Sequence, residues 1–229
     1  MPLPTNHLDQ MFLQLISGVQ ALHKEFLVHS DLSPDNIELL DAFITTRRDY
    51  DPETGEFADK IVLSCIKIRL AYYGDLGLRS LVPGTDEYRA PEAVFNRRAT
   101  YAADNFALGC VMGEIALGTP IFPPCEPGPL YEREKALLFN AISGPFSQQT
   151  AAQIESVFPR IFDEVSVKPI CYNGISEEIR FSLKKAVPVR YMFDNMDMAE
   201  IMEGLICTDP ENRSALEDIL CCDYFRLYP

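Results

Sequence analysis

Three oxygen-bearing side chains of the kind that bind metal ions occur in two short segments whose composition suggests chemistry. Residues 28–36, Val-His-Ser-Asp-Leu-Ser-Pro-Asp-Asn, contain Asp31 and Asn36, and Asp75 follows in a second polar segment. Carboxylate and amide oxygens suit a hard cation that keeps part of its water. A single Asp or Asn is just as typical of a turn cap or a solvated loop. The motifs around these three residues, and the order of those motifs, distinguish the two interpretations.

Five short motifs follow one another from residue 29 to residue 213. They are His29 to Asn36, Asp75-Leu76-Gly77, Gly84 to Glu92, Asp104 to Gly109 and Asp209 to Arg213. In this order they resemble the catalytic loop, metal motif, activation-segment end and two helical motifs of the large lobe of eukaryotic protein kinases. Any one of them arises readily by chance, whereas the ordered set is specific. The resemblance covers essentially the whole chain and favours the cyclin-dependent, dual-specificity and SR-protein kinase group.

The resemblance implies a chemistry for four residues. By position, Asp31 is the carboxylate that orients the attacking hydroxyl, and Asn36 and Asp75 are the Mg²⁺ ligands that also bind the nucleotide. Ser33 occupies the catalytic-loop position where the family has a lysine that meets the transferring phosphate. Phosphoryl transfer depends on metal, positioning and electrostatics. The implied activity is ATP- and Mg²⁺-dependent phosphorylation of protein serine or threonine.

The resemblance implies structural roles for five further residues. His29 is a packing residue, and Thr85 braces the catalytic aspartate, which favours serine and threonine targets. Glu92 and Arg213 form a buried ion pair, and Asp104 hydrogen-bonds the backbone of the catalytic loop. Removing one partner of such a buried ion pair costs roughly 3–5 kcal/mol.

Several positions depart from the family pattern. Only 28 residues precede His29, and they contain no glycine-rich loop or strand lysine, so we expect a large lobe without its small lobe. Ser30 replaces an arginine that pairs with a phosphorylated activation segment. Glu38 falls where an apolar residue lies beneath the adenine, unless a shift of one residue puts Ile37 or Leu39 there.

Two functional hypotheses follow. The first is a serine/threonine kinase. We expect this chain alone to be weak or inactive, because the parts of the family pattern that clamp ATP are not found in it. The second is a pseudokinase-type protein-binding module, or a fragment of a longer kinase. The residues at positions 31, 36 and 75 favour the first hypothesis, and those at 33 and 38 favour the second.

The hydrophobic pattern predicts the elements that position these residues. Apolar residues at three- and four-residue spacing predict a helix over about 6–24, which leads into the catalytic loop. Residues 37–40 and 61–70 are predicted to pair as a β-hairpin, with 41–60 as an exposed inserted loop. Residues 75–92 and about 144–196 are predicted to be irregular. Further helices are predicted over 101–117, which is apolar on nearly every face, and near 130–142, 198–207 and 214–222.

Length and composition predict a single domain, residues 1–229, of a mainly α class with a small hairpin. The chain has 229 residues, 47% of them hydrophobic, and a net charge of −14. That charge disfavours nucleic acids and anionic membranes and favours a protein substrate or partner, basic segments in particular. Seven cysteines without metal-ligand spacing, and no signal-peptide pattern, predict an intracellular, cytoplasmic or nuclear location.

Overall fold

A long amphipathic helix opens the structure and leads into the loop at His29. The computed structural model describes residues 5–40, 44–51, 55–63, 66–71, 85–96, 100–163, 165–170 and 174–226. Helix α1 spans Thr5–Lys24, which confirms the predicted helix. Its apolar stripe is fully buried at Leu15, Ile16 and Val19, and His23 and Lys24 in the last turn face the negative end of the helix dipole.

Two separate antiparallel pairs of strands follow the catalytic loop. Strands β1 (Ile37–Leu40), β2 (Ile44–Asp51), β3 (Glu56–Leu63) and β4 (Lys67–Leu70) pair as β1 with β4 and β2 with β3. The predicted pairing of 37–40 with 61–70 is confirmed for 67–70, with Ile37 opposite Leu70. It was wrong for 61–63, which belong to β3 and pair with β2.

The segment predicted as an inserted loop contains the β2–β3 hairpin, so the loop prediction was wrong there. The residues of β2 from Thr45 to Arg48 are exposed. Tyr50 and Phe57 face each other across the two strands with ring centroids 5.3 Å apart. Such aromatic cross-strand pairs stabilise a hairpin even where its surface is solvated.

A helix buried on nearly all sides forms the centre of the structure. A short helix, α2 (Pro91–Asn96), precedes it, and α3 spans Tyr101–Leu117, as predicted. The Thr100 hydroxyl caps α3 by accepting the amide of Ala103. An ideal Cβ at Gly109 would lie 2.8 Å from the Cβ of Leu205, so only glycine permits this close packing.

Six further helices complete the described part of the chain. They are α4 (Tyr131–Ile142), α5 (Gln148–Val157), α6 (Glu177–Lys185), α7 (Met196–Leu205), α8 (Leu216–Leu220) and α9 (Asp223–Arg226). The prediction of an irregular region over 144–196 was wrong at α5 and α6. The helix α2 likewise begins inside the stretch 75–92 that was predicted to be irregular.

The core lies between α3 and these helices. Buried phenylalanines from several elements meet there, and Phe106 of α3 stacks on Phe122 with centroids 5.6 Å apart and meets Phe139 of α4 edge-on. The buried aromatic cluster thus joins α3 to α4.

Among the helices of the described ranges, none combines the length and apolar character needed to cross a bilayer.

Candidate functional site

The Asp31 carboxylate is held by two groups from different parts of the chain. Its Oδ2 accepts a hydrogen bond from the side-chain amide of Asn36 at 3.2 Å, and its Oδ1 accepts one from the backbone amide of Thr85 at 3.1 Å. The Asn36 Nδ2 also donates to the backbone carbonyl of Asp31 at 2.7 Å. These bonds fix the orientation of the carboxylate while Asp31 stays only partly buried.

Asp104 supports the loop from the first turn of α3. Its Oδ2 accepts the amide of His29 at 2.7 Å, and its Oδ1 accepts the amide of Ser30 at 2.9 Å. His23 Nε2 lies 3.0 Å from the same Oδ2. Ser30 has φ 70°, a left-handed conformation that a non-glycine residue rarely adopts. The paired hydrogen bonds to the buried Asp104 therefore stabilise a strained turn next to Asp31.

His29 lies inside the loop rather than at its surface. The residue is 1% exposed, and its Nδ1 accepts the Asp31 amide at 3.4 Å. Burial lowers the pKa of the His29 imidazole, although Asp104 and the Ala71 backbone act in the opposite direction. The ring is consequently neutral at pH 7, when its Nδ1 can accept a hydrogen bond.

Thr85 contacts Asp31 through its backbone. The donor is the main-chain N–H, and the residue as a whole is exposed. Any residue except proline can supply that donor. The resemblance therefore indicated that residue 85 contacts Asp31, and the structure shows that this contact is made by the main chain of Thr85.

The Glu92–Arg213 pair ties α2 to the segment before α8. The Arg213 guanidinium donates to both carboxylate oxygens of Glu92, at 2.7 and 3.1 Å, and its side chain is fully buried. It also donates to the carbonyls of Ala102 and Cys207. A buried cation satisfied at this many acceptors fixes the relative position of the elements that it joins.

Ser33 and Glu38 lie on either side of Asn36 in the sequence and supply no cation to the site. Ser33 is 2% exposed, and its carbonyl accepts the amide of Asn36 in the 3₁₀ turn Pro34–Asn36. Glu38 lies opposite Arg69 in the β1–β4 pair and accepts its Nε at 2.9 Å. The Glu38 carboxylate is thus paired with a cation of the neighbouring strand, and both side chains remain exposed to solvent.

Asn36 is the predicted metal ligand of the loop. Because the Asn36 side chain uses its nitrogen toward Asp31, its Oδ1 is the atom that remains for the predicted contact with Mg²⁺. The amide of Ala71 donates to the Asn36 carbonyl at 2.8 Å, which brings the end of β4 beside the loop. Asp75 and the rest of the Asp75-Leu76-Gly77 motif lie outside the described residues. Among the residues that the structure describes, no group of three or more His, Cys, Asp or Glu side chains could hold a metal ion.

Sequence reasoning missed two residues next to the site. Asp86 follows Thr85 directly, and a buried lysine of α4, Lys135, contacts it. A signal for Lys135 was present in the sequence, because it shares the apolar face of α4 with Leu138, Phe139 and Ile142 at helical spacing. A lysine at such a core position requires a buried acceptor or anion.

The family model for the protein kinase domain matches residues 1–225. The chain belongs to the protein kinase family. The family resemblance drawn from the five motifs is confirmed. Proteins of this family generally act on protein substrates and use ATP and Mg²⁺. The crystal structure of a kinase domain superposes on 96% of this kinase chain with a TM-score of 0.78 at 19% identity, covering 65% of that structure. The kinase-like, mainly helical fold with its small antiparallel sheet is thereby confirmed.

Several curated relatives of the chain are named dual specificity protein kinases, and others are named mitogen-activated protein kinases. The mouse dual specificity protein kinase CLK1 is 30% identical over 237 residues, covering all of this chain and 46% of the relative. The fission yeast dual specificity protein kinase lkh1 is 30% identical over 166 residues, covering 70% of this chain and 23% of the relative. The chain thus spans less than half the length of these two kinases.

Proposed function

We propose that the chain carries the catalytic-loop half of an ATP- and Mg²⁺-dependent protein kinase acting on serine or threonine. The observation that carries the proposal is the fixed Asp31 carboxylate, held by the Asn36 side chain and the Thr85 amide. Phosphoryl transfer asks little covalent chemistry of the protein, so pre-positioned acceptors account for much of the catalysis. A carboxylate oriented in this way can accept a hydrogen bond from a substrate hydroxyl.

Each residue of the loop has a part in the proposed mechanism. Asp31 orients the attacking hydroxyl and accepts its proton as the new oxygen–phosphorus bond forms, while the bond from the γ-phosphorus to the bridging oxygen breaks and that oxygen leaves with ADP. Asn36, through Oδ1, and Asp75 would hold Mg²⁺, which supplies charge neutralisation at the phosphate oxygens when bound. Asp104 keeps the loop in the conformation that presents Asp31.

The same loop predicts a slow reaction. Ser33 is buried, and it occupies the position where the family resemblance implies a cation that meets the transferring phosphate. Loss of a charge-assisted contact of about 3 kcal/mol in the transition state lowers a rate by a factor of roughly 150. Other kinase parts that bind ATP would have to compensate for this loss.

The proposed substrates are hydroxyl side chains in basic protein segments. The net charge of −14 gives a long-range attraction to such segments. By family resemblance, the threonine at position 85 favours serine and threonine as target residues. Since several relatives are named dual specificity kinases, tyrosine is also to be tested as a target.

The free cysteines of the described ranges support an intracellular location.

A transfer assay with two aspartate variants tests this proposal. The full chain is incubated with Mg²⁺, radiolabelled ATP and basic peptides that contain Ser, Thr or Tyr. Asp31→Asn should abolish transfer, whereas Asp35→Asn is the matched control because Asp35 is exposed in the same loop. Transfer that survives Asp31→Asn unchanged would overturn the proposed role of Asp31, and no transfer at all by the unmodified chain would favour the second candidate.

The second candidate is a kinase-derived protein-binding module, and two observations favour it. Ser33 supplies no cation, and the Glu38 carboxylate, paired with Arg69, would lie close to an adenine. Desolvating a carboxylate beneath a nucleotide is costly. Calorimetry with ATP and Mg²⁺ separates the two candidates: a module of this kind gives no heat of binding at millimolar nucleotide, and a measurable, Mg²⁺-dependent heat rules it out.

A further inference from the structure

Asp86 forms a buried ion pair with a lysine 49 positions away in the sequence. The Lys135 ammonium lies 2.6 Å from Oδ2 of Asp86 and donates to the backbone carbonyl of the same residue at 2.8 Å. The Lys135 side chain is 0% exposed, while Asp86 is 19% exposed. A single cation therefore holds both the side chain and the main chain of Asp86.

Groups from three other residues complete the surroundings of Asp86. The Tyr131 hydroxyl donates to Oδ1 at 2.5 Å, and the Cys125 amide donates to Oδ2 at 2.8 Å. Arg89 donates to the Tyr131 hydroxyl at 2.7 Å and lies 3.5 Å from Oδ1. Burial, followed by the hydrogen bond to Asp86, raises the pKa of Tyr131, so the phenol remains protonated and donates at neutral pH.

The pair connects α4 to the residue that holds Asp31. Thr85 is covalently next to Asp86, and its amide is the donor to Oδ1 of Asp31. Thr85 itself is exposed, so packing around its own side chain does little to fix its position. Because Lys135 binds the carbonyl and the carboxylate of Asp86 together, the position and the orientation of Asp86, the residue that follows Thr85, are both restrained.

We propose that Asp86 and Lys135 are positioning residues that hold the Thr85 amide on the Asp31 carboxylate. Both charges belong to the chain, so the alignment requires no covalent modification of the 85–89 segment. The inference rests on the proposed function only in calling Asp31 catalytic. The alignment itself is a property of the folded chain without nucleotide. A buried ion pair need not add net stability, and fixing one conformation is a role that such pairs can have.

Removing the lysine charge tests the proposal by NMR spectroscopy. In the unmodified chain the Thr85 amide proton should resonate downfield, as expected of a donor to a carboxylate, and the amide should be protected from exchange. Lys135→Met should move that resonance upfield and speed Thr85 exchange by roughly ten-fold, the factor that corresponds to about 1.4 kcal/mol. Lys135→Arg keeps the charge and should restore both signatures. Asp86→Asn is measured in parallel and carries the test if Lys135→Met does not fold.

A stability-matched control separates positioning from general destabilisation. Ile154→Ala opens a cavity at a residue of α5 that is 2% exposed, in a helix that contributes none of the groups described around Asp86. It should lower global stability while leaving the Thr85 amide resonance in place. If the charge-removing variants leave that resonance in place, or if Ile154→Ala moves it equally, the positioning role is overturned. Since no readout requires ATP or turnover, a chain that transfers no phosphate still gives a decisive result.

Discussion

The carboxylate of Asp104 accepts the backbone amide of His29 at 2.7 Å, across 75 positions of sequence. With the second bond to Ser30, it connects the central helix to the loop that carries Asp31. Because Asp104 belongs to the central helix, the conformation of the loop depends on how that helix packs in the core. Loop geometry and global stability should therefore change together when Asp104 is altered.

Replacing Asp104 with asparagine tests that connection. Asp104→Asn removes the charge and one acceptor while keeping the size of the side chain, and should lower the free energy of unfolding by roughly 2–3 kcal/mol. Urea denaturation measures the change. Asp223→Asn, at an exposed residue paired with Arg226, is the control and should leave the midpoint unchanged. A midpoint for Asp104→Asn equal to that of the control would contradict the structural role.

Arg213 gives the strongest expected effect on stability. Arg213→Met leaves the Glu92 carboxylate buried without its cation and should cost about 3–5 kcal/mol. Arg213→Lys keeps the charge but loses the two-pronged fork, so an intermediate loss is expected. Thermal and urea unfolding are compared with Arg190→Met, which removes an exposed pair to Glu203 at 3.7 Å. Equal losses in the Arg213 and Arg190 variants would refute the argument from burial.

The buried His29 should make stability depend on pH. Burial lowers its folded-state pKa, so protonation favours the unfolded chain. The stability that His29 contributes is complete above its unfolded pKa of about 6.5, and it is lost as pH falls toward the lower folded value. Urea unfolding between pH 8 and pH 5 measures this slope in the unmodified chain and in His29→Gln. Carboxylates titrate in both, so their contribution cancels in the difference, and identical slopes would show that His29 does not titrate with folding.

Much of the fold followed from the sequence because its apolar patterns were long. Helix α1 was predicted closely, since its apolar residues recur at helical spacing over many turns. Helix α3 was predicted from a long segment that is apolar on nearly every face, as a helix buried on all sides requires. The α5 and α6 helices were missed although Ser147 and Ser176 cap them. Each is short, and each buries few residues, so packing against the core determines them more than local pattern does.

The site was predictable where ordered motifs located it and unpredictable where contacts cross the chain. The motif gave Asp31 and Asn36 their place in one loop. No local pattern could indicate that Lys135 of α4 pairs with Asp86, because that contact depends on how α4 docks. The β2–β3 hairpin was predicted as a loop because its polar residues hide the alternation that marks a strand, while backbone pairing and the Tyr50–Phe57 contact stabilise it.

Restoring a cation at residue 33 should accelerate the proposed reaction. Ser33→Lys supplies the positive charge that the site lacks beside the transferring phosphate. We expect a gain of roughly 100-fold in the rate of transfer from ATP. Ser33→Met has a side chain of similar length without the charge and should give no gain. Single-turnover kinetics with a basic serine peptide measure both variants. A gain shared equally by methionine would assign the effect to packing instead of charge.

The central claim, that Asn36 and Asp31 form one side of a metal–nucleotide site, is tested most directly by paramagnetic NMR. Mn²⁺ takes the same oxygen ligands as Mg²⁺, and its unpaired electrons broaden the signals of nearby nuclei. Adding Mn²⁺ with ATP to the isotope-labelled chain should broaden the side-chain amide of Asn36 and the backbone signal of Asp31 first, and excess Mg²⁺ should reverse the effect. Broadening that begins elsewhere and leaves both residues sharp would contradict the account.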